Sequence, residues 1–273
     1  WAVAAAGCVN WGFPTLADTD IPEILPTGIC TYEHVVANVP HDEICQKSVE
    51  VRGLKINVTE IDIPLAFGPA FEGERVRGAD LHAQTGGGKT QCTELVKMAD
   101  MGEIEDAKVE VVGPDITDLK EGDTFPLGIY VQIAGREFQT DFEPIMERQI
   151  HHLINYIQGI MHIGQRDISW VRISKAAIEK GFTLKDIGVV LHAKFHQDFQ
   201  KIVDKVQVTL FTNPDEVDKL TVRARAEYKT RDERVDTMTD EDVETFYSCT
   251  LCQSFAPSHV CSVSPERTGL CGA

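Results

Sequence analysis

Four of the eight cysteines in this 273-residue chain fall near its end, at Cys249, Cys252, Cys261 and Cys271. Their spacing is C-x2-C-x8-C-x9-C. Four thiolates suit a soft, tetrahedral-preferring centre, either zinc or an iron–sulfur cluster. C-x2-C lets two sulfurs converge across a tight turn, and the other two arrive from nearby loops at little closure cost. Zinc ribbons usually repeat C-x2-C at both ends, and here only the first pair has that form. The intervening residues Phe255, Ala256, Pro257, Val260 and Leu270 are apolar or small, with one Arg267. Such a dry shell suits a redox cluster. A disulfide framework would need an oxidising compartment, of which the sequence has no sign. Iron–sulfur is the favoured reading, with zinc open.

A second stretch, Arg166-Asp167-Ile168-Ser169-Trp170-Val171-Arg172-Ile173-Ser174-Lys175, could bind a nucleotide. Trp170 would stack on adenine while Arg166 and Arg172 fork onto phosphate. The competing reading is an apolar helix face with a solvated basic rim. Arg223, Arg225, Lys229, Arg231 and Arg234 could add phosphate contacts, or form a solvated helix face. His151, His152 and His162 could make a metal or proton-shuttle site. Satisfied, partly buried histidines are the better reading, since no carboxylate or cysteine sits at ligand spacing. His192 and His196 have the i, i+4 spacing that can chelate zinc, but the Glu of H-E-x-x-H is absent and an exposed face is expected. Gly88-Lys89-Thr90 resembles the end of a P-loop, yet Ala83 stands where that loop needs glycine. The three glycines instead predict a hairpin turn between 81–84 and 91–97.

The elements that must position these residues follow from periodicity. Strands are predicted over 54–63, 107–113, 126–134 and 205–212. Helices are predicted over 42–51, from Asp141 to about Gly164, through the Trp170 stretch to Gly181, over 184–202, from Pro214, and from Thr239 to Tyr247. Ile145, Ile150, Leu153, Ile154, Ile157 and Ile160 form one apolar stripe. Strands mixed with long helices, without strict βαβ alternation, predict an α+β middle domain. The expected division is 1–55 as the tail of a preceding α/β domain, 56–238 as the α+β middle domain, and 239–273 as the start of an iron–sulfur cluster-binding α/β domain.

Hydrophobic residues make up 42% of the chain, enough for one or two cores. A net charge of −17 argues against general nucleic-acid binding, which needs a basic face. No apolar run reaches the roughly twenty residues of a membrane span, and the start lacks the basic flank of a signal peptide. Scattered Cys8, Cys30, Cys45 and Cys92 suggest a reducing, cytoplasmic setting. Beginning at Trp1 within an apolar run and stopping just past Cys271, the sequence reads as a piece of a longer protein.

The run 246–272 resembles the cluster-binding segment of acetyl-CoA synthase, the carbonylating half of the carbon monoxide dehydrogenase/acetyl-CoA synthase complex. The stretches Gly68-Pro69-Ala70-Phe71-Glu72-Gly73-Glu74-Arg75-Val76-Arg77-Gly78-Ala79-Asp80, Asp141-Phe142-Glu143-Pro144, 147–156 and 161–167 resemble the same family. The resemblance implies that Cys249, Cys252, Cys261 and Cys271 hold a 4Fe–4S cluster, with Cys252 also bridging to nickel. It implies condensation of a corrinoid-borne methyl group, carbon monoxide and coenzyme A to acetyl-CoA. A soft, thiolate-rich metal suits carbon monoxide and a carbanion-like methyl group. Phe255 would wall the small-gas pocket, or simply pack. Coenzyme A would meet Trp170, Arg166 and Arg172. The implied partners are the carbon monoxide dehydrogenase subunit, a corrinoid iron–sulfur protein and ferredoxin. The family completes its nickel sites with a Cys-Gly-Cys further along, whereas here Cys271-Gly272 is followed by Ala273. The piece by itself is therefore expected to be inactive. A purely electron-transferring iron–sulfur module and a zinc-stabilised interaction domain are the alternatives.

Overall fold

The computed structural model describes residues 61–68, 71–135, 142–199 and 202–237, together with the backbone of 247–249 and 261–263. The chain divides into two compact units, and the sheets and helices between 61 and 237 all belong to the larger. Its strands are β1 (Leu81–Gly86), β2 (Cys92–Met98), β3 (Val109–Val112), β4 (Asp123–Thr124), β5 (Leu127–Gly135), β6 (Ile160–Ile163), β7 (Trp170–Ser174) and β8 (Val203–Phe211). Its helices are α1 (Phe142–Asn155), α2 (Lys175–Glu179), α3 (Leu184–Asp198) and α4 (Pro214–Val235).

The strands form two mixed sheets, ordered β4-β1-β7-β6 and β2-β5-β8-β3. In the second, β2 and β5 run parallel, β5 and β8 antiparallel, and β3 and β8 parallel. The architecture is thus a mixture of helices and mixed sheets. β5 sits in the interior of its sheet, and Leu127, Ile129, Val131 and Ile133 are fully buried. A near-continuous apolar run is what a strand covered on both faces requires.

α4 is a very polar helix with one buried stripe, Val217, Leu220, Thr221, Ala224, Tyr228 and Arg231. Residues three and four apart share a helix face, so this spacing turns a single edge inward. Leu220, Ala224 and Tyr228 pack with Leu95 of β2 and Tyr130 of β5. Pro214 opens the helix, and the side chain of Asn213 accepts from the Asp215 amide at 3.1 Å. Both features satisfy the exposed first turn. α3 lies against β8 and β3. Gly188 allows that approach: a Cβ there would lie 2.3 Å from Cγ1 of Val109.

Several expectations change. The glycine run is not a hairpin, because β1 and β2 belong to different sheets. Gly86, Gly87 and Gly88 all take left-handed φ angles, of 72°, 64° and 78°, which swing the chain from one sheet to the other. The helix expected to run to about Gly164 ends at Asn155, and the residues that follow form β6. Ile150, Leu153, Ile154, Ile157 and Ile160 of the stripe are fully buried all the same, since a buried strand needs apolar residues as much as a helix does, and the Ile145 side chain lies outside the described residues. The Trp170 stretch is a strand and not a helix. Ile61–Ile63 carry no strand, and Tyr247 lies in a strand where a helix end was expected. The other predicted elements before residue 61 and over 239–246 lie outside the described residues.

Candidate functional site

Of the cysteine quartet, Cys249 ends strand β9 (Tyr247–Cys249) and Cys261 begins strand β10 (Cys261–Val263). The two strands are hydrogen-bonded neighbours in a two-stranded sheet. The backbone at two of the four proposed ligand positions is therefore brought into one small sheet. Cys252, Phe255 and Cys271 lie outside the described residues.

Trp170 and Arg172 sit two apart on β7, and alternation puts both on one face of the strand. The Arg172 guanidinium lies 4.6 Å from the centre of a Trp170 ring, a cation–π stack. Nη1 of Arg172 donates to the Val76 carbonyl at 3.0 Å. The indole Nε1 of Trp170 and Nε of Arg172 are buried without a hydrogen-bond partner. Gly87 lies directly over the indole, and a Cβ there would come within 2.9 Å of Nε1. Arg166 is placed differently. It lies in a 3-10 turn before β7, and both its Nη atoms donate to the Asp232 carboxylate of α4 at 2.7 Å. Its guanidinium also lies 4.9 Å from the centre of the Tyr228 ring. Meeting a phosphate would require the Asp232 fork to open.

The basic run on α4 is paired within the fold. Arg225 donates to Asp167 at 2.6 Å, Arg223 covers the Tyr130 ring and Lys229 lies 3.7 Å from Glu233. Arg231 is buried, and Nη1 donates to Glu147 Oε2 of α1 at 2.9 Å while Nη2 donates to the Val96 carbonyl at 2.5 Å. Glu147 Oε2 accepts in turn from the Val96 amide at 3.2 Å, and Tyr228 donates its hydroxyl to the Glu94 carbonyl. Met98 donates to Glu143 Oε1 at 3.4 Å. Side chains from α1 and α4 thus occupy the outer backbone groups of β2, an edge strand. Burial pushes the Glu147 carboxyl up to about 7, against the pull of Arg231 and the Val96 amide. The same burial, with Glu147 and Glu94 nearby, pushes the Tyr228 hydroxyl far above its ordinary range.

The three central histidines are joined to acids that the sequence keeps far away. Glu94 and His162, both fully buried, are hydrogen-bonded through Nε2, and Glu94 Oε2 has no partner. His162 Nδ1 meets His151 Nδ1 at 2.9 Å, and His152 Nδ1 meets Glu72 Oε1 at 2.5 Å. Nε2 of His162 thus meets a carboxylate oxygen while its Nδ1 shares one hydrogen with Nδ1 of His151. Asn155 clamps the strand by accepting from the His162 amide at 2.7 Å and donating to its carbonyl at 2.8 Å. Burial, then the His162 and His152 imidazoles, holds His151 down to about 4, so it is neutral at physiological pH. The satisfied-histidine reading thus has its partners, but the supposed lack of nearby carboxylates is corrected by Glu72 and Glu94. One potential ligand atom from each of Glu72, His151 and His152 clusters within 4.8 Å. His192 and His196 likewise gain a carboxylate, Asp106, and are half-buried where an exposed face was expected. No local spacing reveals these acids, because each is delivered by a different element. Cys92 is buried, and burial followed by the nearby Glu94 pushes its thiol up, which suits a core residue and not a nucleophile.

Among the described residues, no helix is long and apolar enough to cross a membrane. Residues 63–217 match the family model for the CO dehydrogenase/acetyl-CoA synthase complex beta subunit, and residues 228–273 match that for the C-terminal part of the ACS/CODH beta subunit. The chain is 48% identical over 272 residues to the carbon monoxide dehydrogenase/acetyl-CoA synthase subunit alpha of Moorella thermoacetica, covering 99% of this chain and 36% of that protein. It is 40% identical over 270 residues to the acetyl-CoA decarbonylase/synthase complex subunit beta 1 of Methanocaldococcus jannaschii, covering 99% of this chain and 34% of that protein. To the corresponding beta subunit of Methanopyrus kandleri it is 45% identical over 212 residues, 78% of this chain and 45% of that protein. The chain therefore spans between about a third and just under half the length of these relatives. With most of its length matched by one model, the chain belongs to the CO dehydrogenase/acetyl-CoA synthase complex beta subunit family.

Proposed function

We propose that this chain is the part of an acetyl-CoA synthase that supplies the thiolates for a 4Fe–4S cluster, in a protein that condenses a corrinoid-borne methyl group, carbon monoxide and coenzyme A to acetyl-CoA. The reading is carried by one observation: the segment matching the ACS/CODH beta C-terminal model contains Cys249, Cys252, Cys261 and Cys271, and the first and third of these lie on paired strands. The donor set fits the group, since four sulfurs in sequence reach suit a cubane cluster. Cys252 is proposed as the sulfur shared with nickel, and Phe255 as part of the wall beside it. When bound, the nickel–iron–sulfur centre would supply a soft site for carbon monoxide and the methyl group. The residues of the chain would fix its position and exclude water from it.

Coenzyme A is proposed to meet the Trp170–Arg172 pair, whose indole Nε1 and guanidinium Nε lack partners. Arg166 would join only by leaving Asp232. The carbon monoxide dehydrogenase subunit, a corrinoid iron–sulfur protein and ferredoxin are the proposed partners of the whole protein, and the cytoplasm its proposed location.

The test is anaerobic purification and reconstitution of the 273-residue chain, followed by iron and acid-labile sulfide analysis and Mössbauer spectroscopy. About four irons and four sulfides per chain are expected, with the cluster lost in Cys249→Ala and Cys261→Ala. A colourless protein holding zinc would reject the cluster in favour of the interaction-domain alternative. In the full-length protein, acetyl transfer to coenzyme A that needs nickel separates the synthase from an electron-transfer module.

A further inference from the structure

Away from the cysteine quartet, Asp106, His192 and His196 form a second cluster of metal-ligating side chains. We infer that these three residues form a binding site for one divalent transition-metal ion of the zinc class, which would clamp α3 to the segment between β2 and β3. The inference does not depend on the cluster assignment above.

Three features carry it. First, the ligand types and spacing are right. His192 and His196 lie one helical turn apart on α3, their rings tilted at 56° with centroids 4.7 Å apart. Both present Nε2 to the same Asp106 oxygen, at 3.1 Å and 2.7 Å. Zinc with nitrogen and oxygen ligands near 2.0–2.1 Å sets neighbouring donor atoms about 3.3 Å apart, so small outward adjustments would admit the ion. Potential ligand atoms of all three side chains already lie within 4.8 Å of one another.

Second, the carboxylate is held in place by backbone as well as by the imidazoles. The Val206 amide of β8 donates to Asp106 Oδ1 at 3.0 Å, and the Ala107 amide donates to the Val206 carbonyl at 3.1 Å. Ala107 takes a left-handed φ of 61°, a conformation that costs free energy for a residue with a Cβ. That turn fixes Asp106 opposite the two histidines before any ion arrives. A ligand oriented by a further hydrogen bond is the usual partner of a protein-bound metal.

Third, the site stays reachable from solvent. The side chains of His192, His196 and Asp106 remain 23%, 28% and 42% exposed, leaving access for the ion and a water in the fourth position.

The experiment is a zinc titration of the chain with its cysteine quartet already loaded, for the native sequence and for H192Q/H196Q and Asp106→Asn. Bound zinc is counted after desalting, and the histidine ring nitrogens are followed by NMR. The native chain is expected to retain one more equivalent of zinc than H192Q/H196Q, with the His192 and His196 ring signals moving in step with it. Asp106→Asn keeps an acceptor for the Val206 amide and should weaken binding by more than the roughly 10–100-fold typical of losing an outer hydrogen bond. Equal zinc in native and H192Q/H196Q chains, or unmoved ring signals, overturns the site. Native-like affinity in Asp106→Asn overturns the three-ligand arrangement.

Discussion

His151 shows how one side chain ties burial to pH. Its imidazole is held down to about 4, against an ordinary value of 6.5, because burial and two neighbouring imidazoles disfavour its charged form. A lowered folded value means that the unfolded chain takes up the proton first as pH falls. The stabilisation is therefore complete above pH 6.5 and is lost progressively towards pH 4. Replacing His151 with Gln should narrow the stability gap between pH 7 and pH 4.5 by about 2 kcal/mol, once water near this half-buried ring is allowed for. Urea unfolding of both proteins at the two pH values measures it, and an unchanged gap would show that His151 titrates normally. The sequence displays these histidines plainly but not their partners. Glu72, Glu94 and Asp106 stand between 68 and 90 residues from the histidines they bond, and only the tertiary fold brings them together.

Among the elements, α3 and β3 meet closely at Gly188 and Val109. A Cβ on residue 188 would fall 2.3 Å from Cγ1 of Val109, well inside contact distance. Gly188→Ala improves helix propensity by about 1 kcal/mol, but overpacking costs about 1–3 kcal/mol, so net destabilisation is expected. Adding Val109→Ala removes the colliding methyls and should recover part of the loss, a coupling that a double-mutant cycle in urea would read out. The helices here were legible where caps and stripes agree, as at Pro214 and along Ile150, Leu153 and Ile154. They were misread where a strand carries the same apolar density. Ile157 and Ile160 continue the stripe of α1 on the far side of a turn, and Val171 and Ile173 look equally at home on a helix. Periodicity over so few residues does not separate the two states. The glycines before Lys89 signal a turn correctly, but which sheet each flanking strand joins is a long-range matter.

At the scale of the whole molecule, the family was readable from the sequence because it is carried by long motifs. The joining of the two sheets was not. α1 and α4 meet through the buried Glu147–Arg231 pair, which also occupies the amide and carbonyl of Val96. Arg231→Met leaves a buried carboxylate without its counter-ion and is expected to cost about 3 kcal/mol. A Glu147→Leu/Arg231→Met protein, with no charge left behind, should regain much of that in thermal or urea unfolding. The outward side of β2 matters beyond stability. A strand margin with free amides and carbonyls is a template on which a second polypeptide can grow by ladder pairing. Here two helices plug that margin with carboxylate, guanidinium and phenol groups. Growth along β2 is closed off, and whatever joins this protein through the β2 side must meet helix surfaces and not extend the sheet.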